Sequence, residues 1–109
     1  MDFQLTDEQR MLGEGARKLA VERVAAKACT WERRGEYPWE NAKALADAGF
    51  LGILLPEEDG GQGGTVMDAV LVMEAIAQVC PHTADLVQAT SFGAIRAFAA
   101  YAQPAVKRR

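Results

Sequence analysis

Between Gly49 and Thr65 the chain reads GFLGILLPEEDGGQGGT, a run in which neither a regular helix nor a long strand survives. Gly49 stops whatever helix precedes it, because only glycine enters the left-handed conformation without steric cost. The apolar residues Phe50 to Leu55, broken by Gly52, are too few for a helix of their own. Pro56 biases Leu55 towards extended backbone, so this run is expected to be a buried extended connector. Glu57, Glu58 and Asp59 then turn to solvent, and Gly60, Gly61, Gly63 and Gly64 permit tight reversals before the next helix. The order is helix stop, buried connector, glycine turn, helix start.

Helical signals flank the run on both sides. Thr6 is a good N-cap and Gln9 completes a capping box with it. From there to about Cys29, Leu12, Ala16, Leu19, Ala20, Val24 and Ala28 recur at helical spacing, with Arg10, Glu14, Lys18 and Glu22 on another face. Thr30 to Tyr37 is polar, contains Gly35, and reads as a loop. Pro38 fits the first turn of a second helix whose buried stripe is Trp39, Ala42, Leu45 and Ala46. Thr65 with Asp68 repeats the capping signal, and Val66, Ala69, Val70, Met73, Ile76 and Ala77 give a third helix an apolar face that ends before Pro81. A fourth helix is expected over Thr83 to Ala100. It is small or apolar on nearly all sides, which calls for burial on several faces and hence for a partner beyond the first three helices. Pro104 opens a short fifth helix, in which Lys107, Arg108 and Arg109 come early against the helix dipole. A helix start with so little behind it reads as a chain that continues. The fold class is therefore all-α, four helices plus the start of a fifth.

Catalytic chemistry is hard to find. The glycine cluster lacks the strand-to-helix setting of a dinucleotide fingerprint, and no Gly-Lys-Ser/Thr follows it. His82 is the sole histidine and has no Cys, Asp or Glu at a metal-ligand spacing, so no metal site and no Ser-His-Asp triad is expected. Glu57, Glu58 and Asp59 on an exposed turn are expected to be hydrated carboxylates. Half the residues are hydrophobic, a quarter are charged and the net charge is −3, so one globular domain is expected and nucleic acid is an unsuited partner. Cys29 and Cys80 stand far apart, in keeping with reduced thiols in a cytoplasmic protein. The acidic N-terminus lacks a signal-peptide core, and no apolar run reaches membrane-spanning length.

The motif AGFLGILLPEEDGGQGGT, from Ala48, with the opening DFQLTDEQRML from Asp2, resembles the N-terminal helical domain of acyl-CoA dehydrogenases. The resemblance spans residues 1–109 and covers only the first domain of a family member, which goes on into a middle β domain and a C-terminal helical bundle. It implies a parent enzyme that uses FAD to dehydrogenate an acyl-CoA thioester between its α and β carbons, works as a homo-oligomer, and takes its glutamate base in most members from the absent C-terminal bundle. No catalytic or cofactor-binding residue is therefore carried onto this chain. The resemblance implies that Val87, Thr90, Ser91 and Ala94, on the fourth helix, line the acyl pocket; helix packing is the alternative role of each. Ala102, Gln103 and Ala105 stand where the family commonly has glycine, Ser/Thr and glutamate. A reading from a different class is a stand-alone helical interaction module that acts through the fourth helix.

Overall fold

A computed structural model describes residues 1–109, all helix, turn and loop with no strand. The first helical stretch begins at the expected cap: Gln9 N donates to Thr6 Oγ1 at 3.1 Å and Thr6 N to Gln9 Oε1 at 2.9 Å. Helix α1 runs Asp7–Leu19. One wide π turn (Ala20–Val24) and one tight 3₁₀ turn (Ala25–Lys27) then carry the chain into α2, Ala28–Arg34. The wide turn has a packing reason. Ala16, Ala20, Val24 and Ala28 are spaced by four, and four residues of α-helix advance about 40° beyond a full turn. A turn closed by i→i+5 bonds winds less per residue and holds the stripe against the core, where Ala16, Ala20 and Val24 are fully buried.

The loop expected from Thr30 begins only at Gly35. Trp31 to Arg34 stay helical because nothing in them breaks a helix and Arg33 and Arg34 suit its C-terminal end. Gly35, at φ 62°, makes the break. Pro38 is fully buried at the centre of an inverse γ-turn in which Trp39 N donates to Tyr37 O at 2.9 Å. Helix α3, Trp39–Asp47, buries Asn41, Ala44 and Leu45. Trp39 was expected on that stripe and is instead 73 % exposed, its ring 4.5 Å from that of Tyr37; Ala46 is exposed as well. The inward face is fixed by Leu45 and by Asn41 one turn before it, which leaves the first residue of the helix pointing out.

Gly49 ends α3 as expected, in a Schellman pattern: Phe50 N donates to Leu45 O and Gly49 N to Ala46 O. The connector is buried at Phe50, Gly52 and Ile53, but it turns where an extended segment was expected, since Leu55 N donates back to Gly52 O. The glycines then fold the return strand of the loop over it. Gly61 N reaches Pro56 O, Gln62 N reaches Gly52 O, Gly63 N reaches Leu55 O and Gly64 N reaches Ile53 O, at 2.7 to 3.1 Å.

The second capping box holds, with Asp68 N on Thr65 Oγ1 and Thr65 N on Asp68 Oδ2. Helix α4, Val66–Ala77, is central and packs along both α1 and α5, Pro81–Ser91. The expected fourth helix is broken in two. Phe92 is extended and Gly93 takes φ 65°, ψ −132°, a backbone that suits glycine, so α6 starts afresh at Ala94 and ends at Tyr101. A short α7, Pro104–Lys107, closes the chain. The core gathers Ala16, Leu45, Ile53, Val72, Ile76 and Val87 among others. The molecule measures 40 × 40 × 21 Å, about two helix diameters thick. In such a slab most helices have one face inside and one face uncovered. No helix is long and apolar enough to cross a membrane.

Candidate functional site

Two apolar stripes run along α4. Ala69, Val72 and Ile76 form the inner one and are fully buried. Val66, Val70, Met73 and Ala77 form the second, in which Val66 and Val70 are exposed and Met73 and Ala77 half-buried. The sequence merged residues of both into one face; helical geometry separates them, and only the inner stripe is covered within the chain.

The outer stripe frames a groove. Val70, Met73 and Ala77 of α4 face Pro81 and Ala84 of α5 across a cavity of about 350 Å³, and its remaining lining residues are Glu74 and Asp85. The three ion pairs of the chain are Lys27–Glu40, Lys43–Asp47 and Lys107–Asp59, so neither groove carboxylate has a cationic partner. The proline at Pro81 sets this geometry. It occupies the first turn of α5, where its missing N–H costs nothing, and turns the chain back along α4 after only three intervening residues.

The four residues offered for an acyl pocket are not gathered in this groove. Val87 and Ser91 are fully buried on the inward side of α5. Thr90 is half-buried and donates its hydroxyl to Leu86 O at 2.8 Å. Ala94 lies beyond the Gly93 break and is exposed. Ser91 Oγ has no hydrogen-bond partner, and neither does the buried Nε1 of Trp31. The outward residues of α5 are Pro81, His82, Asp85, Gln88 and Ala89. Assigning α5 its inward side from the buried Thr83, Ala84 and Val87 would have found that set, but a helix apolar nearly all round hides its own orientation.

A second groove of about 340 Å³ lies between the glycine loop and α6, with Leu55, Ile95, Phe98 and Ala99 on its floor. Asp59 and Lys107 meet at its rim at 3.3 Å, their side chains about a quarter exposed, so Asp59 is not the freely hydrated carboxylate its turn suggested. Cys29 and Cys80 are free thiols lining a third groove together with His82 and Glu32. No three His, Cys, Asp or Glu side chains come together closely enough to hold a metal ion.

The glycine loop has the composition of a phosphate cradle for a nucleotide cofactor but not its free donors. Such a cradle needs free backbone N–H groups. Those of Gly60, Gly61, Gln62, Gly63 and Gly64 all bond to carbonyls of the loop itself. The loop does not fit the pyrophosphate of FAD.

Comparison with known proteins places this scaffold. Residues 6–109 match the family model described as acyl-CoA dehydrogenase, N-terminal domain. A 3-sulfinopropanoyl-CoA desulfinase of Paraburkholderia xenovorans is 39% identical over 97% of this chain and 27% of its own length. One from Variovorax paradoxus is 40% identical over 94% of this chain and 26% of its own length. The short-chain specific acyl-CoA dehydrogenase of Clostridium acetobutylicum is 33% identical over 82% of this chain and 24% of its own length. The chain thus spans about a quarter of the length of the curated relatives it matches. The all-helical fold, the glycine loop between two capped helices and a match running from the first cap to the last residue agree with one another: the chain belongs to the acyl-CoA dehydrogenase family, as its N-terminal domain.

Proposed function

We propose that this chain is the N-terminal part of a cytoplasmic, homo-oligomeric, FAD-dependent enzyme that dehydrogenates an acyl-CoA thioester, and that its own task is to wall the acyl pocket. The observation that carries the wall is the groove between α4 and α5, an apolar surface that packing within the chain leaves open. A concave apolar surface with few polar groups is what a hydrocarbon tail requires. Of the four residues first offered for the wall, Thr90 and Ala94 retain surface but lie outside this groove, and they mark the alternative position for the wall. Val87 and Ser91 would act from behind, by holding α5 in place. The remaining domains of the parent, or a second subunit, would cover α6, which buries no residue in the chain alone. FAD would be held by those other parts. The free thiols of Cys29 and Cys80 suit a reducing compartment.

A second reading has its own support. Relatives at 39% and 40% identity carry the name 3-sulfinopropanoyl-CoA desulfinase, so the parent enzyme would cleave a carbon–sulfur bond of an acyl-CoA. The full-length protein, loaded with FAD, decides between them. Reduction of an artificial electron acceptor by butyryl-CoA supports the dehydrogenase. Sulfite release from 3-sulfinopropanoyl-CoA without acceptor reduction transfers the proposal to the desulfinase. Neither activity, in a preparation that retains flavin, removes both.

A further inference from the structure

We infer that Cys29 and Cys80 form a redox-modification site, at which hydrogen peroxide joins them in a reversible disulfide that ties α2 to the start of α5. The inference is independent of which thioester the parent enzyme takes. Both thiols line one groove of about 360 Å³. Cys29 stands on its α2 side with Glu32, and Cys80 on the side formed by the start of α5, with Pro81 and His82. Their exposures are unequal in the way a two-thiol site requires. Cys29 is exposed and open to a small oxidant, whereas Cys80 is buried and keeps only 3 % of its surface. Thr83 Oγ1 donates to Cys80 Sγ at 3.1 Å and fixes where that sulfur sits. The chain holds no other cysteine, so neither thiol has a competing partner within it.

A disulfide requires Cα atoms within about 7 Å of each other, and α2 is the element free to supply that approach. It is seven residues long and buries none of them. Two turns of non-α geometry precede it and Gly35, at φ 62°, follows it, so no continuous helix fixes its position. Its one large side chain, Trp31, is half-buried with Nε1 enclosed and unpaired, so its seat costs a donor its water without replacement. Elements with so few buried contacts shift at low cost. The other side of the groove is held by the hydrogen bonds from Asn41 to Thr83 and from Thr83 to Cys80. The chemistry balances with peroxide as the two-electron oxidant. Cys29 Sγ attacks one peroxide oxygen, the O–O bond breaks, and water leaves with the thiol proton, which gives a sulfenic acid. Cys80 Sγ then attacks the Cys29 sulfur, the S–O bond breaks, and the hydroxyl leaves as a second water with the Cys80 proton. Two thiols become one disulfide and one peroxide becomes two waters. Such a pair rests reduced in a reducing compartment and closes only under oxidant.

The test is peroxide treatment of the full-length protein, then alkylation with iodoacetamide under denaturing conditions, tryptic digestion without reductant, and mass spectrometry. The expected product is a linked pair of the peptides Ala28–Arg33 and Ala44–Arg96, lighter than their sum by two hydrogens and separated again by dithiothreitol. These peptides report on the two thiols whatever other cysteines the parent carries. The link should lie within one molecule, so the denatured, unreduced protein should run as a monomer. In Cys80→Ser, dimedone should trap Cys29 as its sulfenic acid. In Cys29→Ser, the buried Cys80 should label at least about tenfold less. In the oxidised wild type, hydrogen exchange at the amides of α2 should slow about tenfold or more, the mark of a helix stapled to its neighbour. Recovery of both cysteines alkylated after peroxide, with no linked pair, overturns the inference. So does a link found only between molecules, or one that leaves exchange in α2 unchanged. The wild-type protein carries these readouts alone should either serine variant fold poorly.

Discussion

Asn41 Nδ2 donates to Thr83 Oγ1 across 2.9 Å, between two buried residues forty-two positions apart. Thr83 in turn donates to Cys80 Sγ at 3.1 Å, so α3 is tied to the first turn of α5 through a buried relay. Polar groups this deep are costly when left alone, because the lost partner is not replaced by water. Asn41→Ala is expected to destabilise the chain by about 2 kcal/mol, from the cavity and the lost bond together. Thr83→Val, which strands the Asn41 amide, is expected to cost about 1 to 3 kcal/mol. The double variant should lose less than the sum, since the residues share one bond. Urea unfolding followed by far-UV circular dichroism measures all three, and strict additivity would show that the bond contributes nothing.

Glycines at two kinds of position should respond to alanine in opposite directions. A Cβ on Gly61 would lie 2.2 Å from Leu55 O and 2.4 Å from Leu55 Cβ, where the loop crosses itself and no flexible side chain can yield. Gly61→Ala is expected to cost about 3 kcal/mol or more. Gly13 and Gly15 lie within α1 with open space around the missing Cβ, so Gly13→Ala and Gly15→Ala should each stabilise by about 0.5 to 1 kcal/mol. Thermal midpoints of the three variants give the sign directly. A neutral Gly61→Ala would mean that the loop is not held as described.

These loop contacts also mark where the sequence was legible. Thr6 with Gln9, Thr65 with Asp68, and Gly49 after Leu45 are local signals, each satisfied within a few residues, and each took the structure it announced. Orientation was less readable. Val66 and Val70 are as apolar as Val72, yet only Val72 is inside, because α1 and α5 cover one side of α4 and nothing in the chain covers the other. Trp39 is misread for the same reason: size and apolarity favour burial, but Leu45 and the bond from Asn41 decide which way α3 turns. The Gly93 break and the π turn at Ala20–Val24 are settled by packing between helices, which periodicity within one helix does not register. For the candidate site, the residue types of the groove were visible, but their meeting depends on the tight reversal at Pro81.

The three ion pairs should differ in weight according to exposure. Lys27–Glu40 and Lys43–Asp47 have side chains more than half exposed, and removing either acid by amide substitution should change stability by about 0.5 kcal/mol or less. The side chains of Lys107 and Asp59 are about a quarter exposed and link α7 to the glycine loop across forty-eight residues. Asp59→Asn should cost about 1 kcal/mol and loosen α7 ahead of the rest of the chain. Hydrogen exchange at the amides of Lys107 and Arg108 reads that loosening. Added salt should erode the two exposed pairs more than the Asp59–Lys107 pair.

On the proposed acyl-wall reading, a tail would lie along only one of the two opposite sides of α5. Ala77 lines the α4–α5 groove, whereas Thr90 projects towards the inward side with its hydroxyl bonded to Leu86 O. Ala77→Trp in the full-length protein places an indole in the groove. Activity should then fall by about tenfold or more with the acyl-CoA substrates whose tails reach the blocked position, and chain-length preference should shift, since a blocked tail position costs binding only to chains that reach it. Thr90→Trp should shift chain-length preference only if the pocket lies on its side of the helix. A shift with Thr90→Trp and none with Ala77→Trp would place the wall on the Thr90 and Ala94 side and remove the groove from the substrate path. A shift with Ala77→Trp alone would assign the tail to Val70, Met73, Ala77 and Ala84, and leave Val87, Thr90 and Ser91 as the packing that holds α5 against the core.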